Sequence, residues 1–283
     1  MLNNNFAIDI NKDDPLVSII IASFNSGVEL ENTIKDVLAQ NYKNREIVII
    51  DGGSTDITLE IIEKYKKYIS YFVSEEDVGI YYAMNKGILA SRGEILHFLN
   101  AGDFYFNNDI LRIIVDKFRE TKQISIIYGL TECFSTDKTI RYISGSFKKK
   151  GFFLGGMPTS HQSIFYNKKL FDLLDKYDTD FKIASDLEFF LRLKKYSKKF
   201  KIRECFLNIP LAKFNLSGFS DSNQKSTLEE LKNVSLRYYN KNIVNIYFTY
   251  RRIKYILVKI LTEMGLNKLY RRLKYNFFYK LKK

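Results

Sequence analysis

Four apolar runs of strand length, each separated from the next by an amphipathic stretch, fill the first hundred residues. They read LVSIIIAS (16–23), REIVIID (45–51), ISYFVSE (69–75) and GEILHFLN (93–100). Continuous apolar runs this short are what strands buried on both faces require. Between them, SGVELENTIKDVLAQ (26–40) places Val28, Leu30, Ile34, Val37 and Leu38 near helical spacing, with Ser26 in a capping position. STDITLEIIEKYKKY (54–68) and GIYYAMNKGILASR (79–92) also read as helices. Strand and helix alternating at this spacing predict parallel βαβ units with right-handed crossovers, hence an α/β, Rossmann-like and mostly parallel sheet with flanking helices. Ligands of such sheets bind at the carboxyl ends of the strands. Those ends read Ser23-Phe24-Asn25, Asp51-Gly52-Gly53, Ser74-Glu75-Glu76-Asp77 and Asn100-Ala101-Gly102-Asp103, so polar and acidic residues gather on one edge.

The alternation loosens after residue 103. NNDILRIIVDKFRE (107–120) and IASDLEFFLRLKKY (183–196) read as helices, QISIIYGL (123–130) and KTIRYISG (138–145) as strands, and GMPTSHQSIFY (156–166) as a loop running into a strand. This mixed half is expected to lie over the strand edge. With 283 residues, three prolines and no low-complexity tract, the chain has room for one large domain and shows no linker. The division expected is a domain over 1–225, in two halves of about 16–105 and about 106–225, and a helical basic tail over 226–283.

Cys133 and Cys205, with His97 and His161, lack the spacing of a zinc site, and two distant cysteines make no disulfide framework. MLNNNFAIDINKDD has neither a cationic start nor an apolar core, so it does not read as a signal peptide. No run reaches the ~18 apolar residues that span a bilayer. A cytoplasmic protein is expected.

The net charge is +13, but it is not spread evenly. Residues 241–283 hold twelve Lys and Arg against one acid, Glu263. The preceding residues are nearly balanced, which argues against a nucleic-acid-binding body. In RRIKYILVKILTEMG (251–265), Ile253, Ile256, Leu257, Ile260, Leu261 and Met264 form one helical stripe, bordered by Arg251, Arg252, Lys254 and Lys259. Basic amphipathic helices of this kind suit an anionic membrane surface. The bland alternative is a helix packed on the domain with solvated lysines.

The first βα turn, SFNSG, has neither G-x-G-x-x-G nor G-x-x-x-x-G-K-[ST], which disfavours a dinucleotide fold and a P-loop. What remains is a fold with acids at its ligand edge, where a divalent ion can bridge carboxylate and diphosphate. Over roughly 16–220 the chain resembles glycosyltransferase family 2. IIDGGSTD resembles the segment holding uracil and ribose, DVGIYYAMNKG the segment over the diphosphate, LNAGD the Asp-x-Asp metal motif, and IASDLEFFLRL the helix start that carries the base. The resemblance implies a GT-A fold, a nucleoside-diphosphate sugar donor (a UDP-sugar foremost), Mn2+ or Mg2+, and inversion at the anomeric carbon. It further implies a lipid-linked or saccharide acceptor in surface polysaccharide synthesis, at the inner face of the membrane. Asn100 and Gly102 depart from the metal motif and leave Asp103 its single carboxylate.

The residues expected at the site follow. Asp103 is expected to ligate the metal, and Asp186 to act as general base, with Glu188 as the fallback. Ser23, Asn25, Asp51, Asp77, Asn85 and Asn100 are expected to hold the donor. His161 either lines the acceptor or phosphate side or is a buried imidazole; His97, inside a strand, is expected to be structural. A non-catalytic nucleotide-sugar-binding or scaffold protein is the competing function, because the metal motif is incomplete.

Overall fold

The computed structural model describes residues 14–120, 124–134, 141–144, 154, 156–157, 159–215 and 224–263. Its first half follows the expected rhythm: β1 (Val17–Ser23), α1 (Gly27–Ala39), β2 (Arg45–Asp51), α2 (Thr58–Tyr65), β3 (Tyr71–Ser74), α3 (Ile80–Ala90) and β4 (Ile95–Phe98). β1 lies between β2 and β4, parallel to both, and β3 is parallel to β2 at the outer side. Alternate β1 residues supply opposite layers. Ile19 and Ile21 pack with Leu30, Ile34 and Val37 of α1, while Ile20 packs with Met84 and Ile88 of α3.

The second half contributes β5 (Phe104–Tyr105), α4 (Ile110–Glu120), β6 (Ile124–Phe134), β7 (Arg141–Ser144), β8 (Ile164–Asn167), α5 (Lys169–Leu174), α6 (Ser185–Tyr196) and β9 (Arg203–Asn215). Among the described residues all strands join one sheet in the order β3-β2-β1-β4-β8-β6-β9-β5, with β7 beside β6. β8 is antiparallel to β4 and to β6, so the sheet is parallel in its first half and mixed as a whole. β9 carries no clean strand signature because of Pro210. That residue pairs with Leu130 between two register shifts of the β6–β9 ladder, the irregular place where a strand tolerates a residue without an N–H.

Two helices follow, α7 (Gln224–Tyr238) and α8 (Lys241–Glu263). α8 begins ten residues before the stretch singled out in the sequence, because Asn240 caps it: its Oδ1 accepts from Asn242 N at 2.9 Å. Met264 lies outside the described residues. The chain divides into two compact units between Val234 and Ser235, rather than at 225/226. The first turns of α7 go with the first unit.

The close approach of α3 to β1 depends on Gly87, whose added Cβ would stand 2.3 Å from Ile20 Cγ2. Gly87→Val is therefore expected to destabilise the first unit by about 1–3 kcal/mol through overpacking, read as a lower urea midpoint.

Candidate active site

β2 and β3 lie on one side of β1 and β4 on the other, so the connections diverge at the carboxyl end of β1, the switch point where open α/β sheets form a crevice. The register sets Ser23, Asp51 and Ser74 side by side at that edge. Ala101 N donates to Ala22 O at 3.3 Å and brings the turn after β4 alongside.

Several groups expected to reach a ligand instead hold the edge together. Asp51 is fully buried and accepts from Ser54 N at 2.8 Å, Ser54 Oγ at 2.5 Å and Ser74 Oγ at 2.7 Å. It fixes the turn after β2, which is why α2 starts at Thr58 and not at Ser54. Ser23 Oγ shares a hydrogen bond with Ser26 Oγ at 3.0 Å. Asn85 is spent as well: Nδ2 donates to Tyr177 O at 2.8 Å and Oδ1 accepts from Tyr177 N at 2.9 Å. These bonds close a helix-to-loop contact and take up one donor and one acceptor of the amide.

Asn25 and Asp77 remain at the rim. Asn25, at φ 45°, is exposed, with Oδ1 accepting from Thr55 N at 2.8 Å. Asp77 Oδ1 accepts from Gly79 N at 2.9 Å, and its carboxyl lies over Gly52 beside the Phe24 ring. Phe24, 63% exposed at a strand end, is a flat apolar surface that sequence reasoning passed over. Its signal was an aromatic residue just past a buried strand. Gly79 leads into α3 at φ +141°, and nothing lies within 4 Å of where a Cβ would stand, so the start of α3 opens to the crevice.

The turn after β4 corrects the metal assignment. Asp103 does not display its carboxylate but turns inward, 4% exposed, where Oδ2 accepts from Gln162 Nε2 at 2.7 Å. Backbone N–H groups of Asn215 and Asn100 add to this, and burial still pushes the carboxyl up to about 7. The other oxygen near the turn is Asn100 Oδ1, buried and without a hydrogen-bond partner among the described residues. One inward carboxyl and one carboxamide oxygen do not make the oxygen cradle a divalent cation requires, and no group of three His, Cys, Asp or Glu converges among the described residues. The residues present do not fit a protein-held metal.

Across the crevice a different cluster forms. Asp186 stands in the first turn of α6. Its Oδ1 accepts from Leu187 N at 2.7 Å and from Tyr81 Oη at 3.2 Å, and its Oδ2 lies 4.0 Å from His161 Nδ1. His161 Nε2 lies 3.2 Å from the Asn100 side-chain amide, a hydrogen bond whose direction is set by the imidazole tautomer. Burial raises the Asp186 carboxyl to about 6 and lowers His161 to about 4. At neutral pH the aspartate is therefore charged and the imidazole neutral, a dipole against a carboxylate rather than an ion pair. Asp186 and His161 keep 19% and 18% of their side-chain surface accessible, so water or an acceptor can reach them. Glu188, the fallback, is buried and paired with Arg192 Nη2 at 2.7 Å. His97 is structural as expected, bonded to Tyr105 Oη and Gln162 O and stacked on Phe165 at 3.9 Å.

A crevice at the switch point of a curled mixed sheet is the architecture of GT-A glycosyltransferases. Solved structures agree: S. aureus TarS 1-349 in complex with UDP-GlcNAc superposes with a TM-score of 0.61 over 81% of this chain and 69% of that one, at 16% identity. The mannosyltransferase PcManGT from Pyrobaculum calidifontis, in complex with GDP-Man and Mn2+, gives 0.59 over 82% and 68%, at 17% identity. Residues 18–181 match glycosyl transferase family 2, and the chain belongs to that family and is a glycosyltransferase. An uncharacterised glycosyltransferase of Mycobacterium tuberculosis is 32% identical over 76% of this chain and 80% of its own length. A PGL/p-HBAD biosynthesis glycosyltransferase of Mycobacterium bovis is 30% identical over 63% and 69%.

Asp51→Ala is expected to strand the Ser54 and Ser74 donors and destabilise the first unit by about 1–3 kcal/mol, seen as a lower melting temperature before any ligand is added.

Proposed function

We propose that the protein is an inverting transferase that moves a sugar from a UDP-sugar to a hydroxyl of a lipid-linked or saccharide acceptor, with Asp186 as general base. The observation that carries this reading is the Asp186 carboxylate itself. One of its oxygens is held by two donors while the other faces the crevice and His161, and its proton affinity is matched to neutral pH.

The donor's base lies against Phe24, with Asn25 and Asp77 at its polar edge, and the diphosphate lies before the opening of α3, where helix N–H groups favour negative charge. Asn100 stands at the same edge as a further donor contact, its Oδ1 without a hydrogen-bond partner among the described residues. The acceptor hydroxyl sits against Asp186 Oδ2. Its oxygen attacks the anomeric carbon as Asp186 takes the proton, and the bond to the diphosphate breaks with its electron pair leaving on the nucleotide. Attack opposite the leaving group inverts the anomeric centre. His161, neutral, stands beside the carboxylate with Nδ1 4.0 Å from Asp186 Oδ2.

Asp186→Asn is expected to lower turnover roughly 10²–10⁴-fold while UDP still raises the melting temperature as in the wild type. Loss of the UDP effect would move Asp186 into the donor site instead. In the wild type kcat/KM is expected to rise with pH through about 6: burial raises the carboxyl, so the base is protonated and silent below that value.

The reading extends to the second unit. No described helix is long and apolar enough to cross a membrane. α8 nevertheless leaves Ile246, Ile253, Ile256, Leu257 and Ile260 exposed, Ile246 at 72%, beside Arg251, Arg252 and Lys254. A helix packed away on its own unit would not keep that stripe in solvent. An anionic phospholipid surface, at the cytoplasmic face of the membrane, satisfies both halves of the pattern, each cation near it adding ~1 kcal/mol. The full chain is expected to sediment with phosphatidylglycerol vesicles, and salt to weaken but not abolish this. The triple variant Ile253→Glu, Ile256→Glu, Ile260→Glu is expected to stay in the supernatant with its melting temperature unchanged.

A further inference from the structure

The segment 182–186 carries the proposed base, and it has an unusual anchorage. α6 starts after Ala184, a residue with no side-chain oxygen to cap the helix. The N–H groups of the entering chain are met from elsewhere. A single carboxylate, Glu230 of α7, accepts from Lys182 N at 3.0 Å, Ile183 N at 2.7 Å and Ala184 N at 3.0 Å. From the opposite side Tyr81, buried in α3, shares its hydroxyl proton between Ile183 O at 2.8 Å and Asp186 Oδ1 at 3.2 Å. The N–H groups of Lys182, Ile183 and Ala184 and the carbonyl of Ile183 are thus held by side chains distant in sequence. One contact comes from the helix that opens to the donor, the other from a helix beyond residue 181, where the family match ends.

We propose that Tyr81 and Glu230 are positioning residues, which clamp the 182–186 segment from two sides and turn one oxygen of Asp186 toward the acceptor. The proposal rests on Asp186 being the base. With Oδ1 occupied by Tyr81 and by Leu187 N, only Oδ2 is free to take a proton. Rotation of the carboxylate would break both bonds, so the reacting oxygen is selected before substrate arrives. Tyr81 also joins α3, in the first half of the chain, to the start of α6 in the second.

The two residues act on Asp186 in opposite electrostatic senses. Burial, the largest influence, raises the carboxyl; the Tyr81 hydroxyl stabilises the charged form and lowers it, whereas the negative charge of Glu230 raises it. The remaining titratable groups around it are His161, held neutral by burial, and the buried phenols Tyr166 and Tyr177, also uncharged. None of these supplies a compensating charge.

The test is the pH profile of UDP release from a panel of UDP-GlcNAc, UDP-glucose and UDP-galactose by the full chain, with water as acceptor. Tyr81→Phe is expected to move the acid limb of kcat/KM upward, and Glu230→Gln to move it downward, each with reduced kcat and with UDP still raising the melting temperature. Their combination is expected to bring the limb back toward the wild-type position. Residues that merely support the fold would lower activity or melting temperature and leave the limb in place, and that result in both variants overturns the proposal. Should Glu230→Gln not fold, Tyr81→Phe decides alone: an unmoved limb overturns the clamp. An Asp186→Asn control separates the two levels. If it keeps wild-type turnover, the base assignment itself has failed; if it is inactive while neither limb moves, only the clamp has.

Discussion

The structure depends on β1 being buried on both faces between two parallel neighbours. Val17, Ile19 and Ile21 are wholly buried and Ile20 nearly so, which no edge strand would allow. Once β1 is central, α1 must cover one layer and α3 the other, and the chain reverses its direction of growth there. The crevice is a consequence of that reversal, not of any single site residue. Gly87 is the local condition for it, since a side chain there would hold α3 away from Ile20.

A polar edge beside so apolar a sheet carries a cost. Each carboxylate or amide taken out of water must find donors. Asp51, Asp103 and Asn85 do so within the protein, and in doing so they shape the turn after β2, the turn after β4 and the contact between α3 and the 175–177 loop. Asn25 stays exposed, and Asp77, Asn100, His161 and Asp186 are only partly enclosed. Asp103 illustrates the distinction. Its burial on Gln162 stiffens the turn that carries Asn100, while removing from the crevice the carboxylate a metal site would have used.

The two compact units dispose of their apolar surface differently. The first is close to charge balance and spends its apolar surface on the sheet. In the second, Val244 is buried while the stripe from Ile246 to Ile260 is not, and the excess of cations lies in the same part of the chain.

By itself the sequence determined the βα rhythm, the edge on which polar residues gather, the position of Asp186 at a helix start, the structural role of His97 and the asymmetry of charge. All of these are local: apolar periodicity and a residue's place within its own element decide them. Tertiary structure decided which carboxylates remained available. Asp51 and Asp103 look alike in sequence as turn acids after strands, yet each is consumed by its surroundings, Asp103 by a glutamine 59 residues away. Tyr81 lies 105 residues from Asp186, and Glu230 lies 46 from Ala184, so no window of sequence shows either partner. β9 was hidden for the same reason, because its Pro210 is acceptable only where the ladder to β6 already slips. A hydrogen bond needs two groups within about 3 Å, and spacing along the chain fixes that distance only inside one element; between elements it is set by how the layers pack.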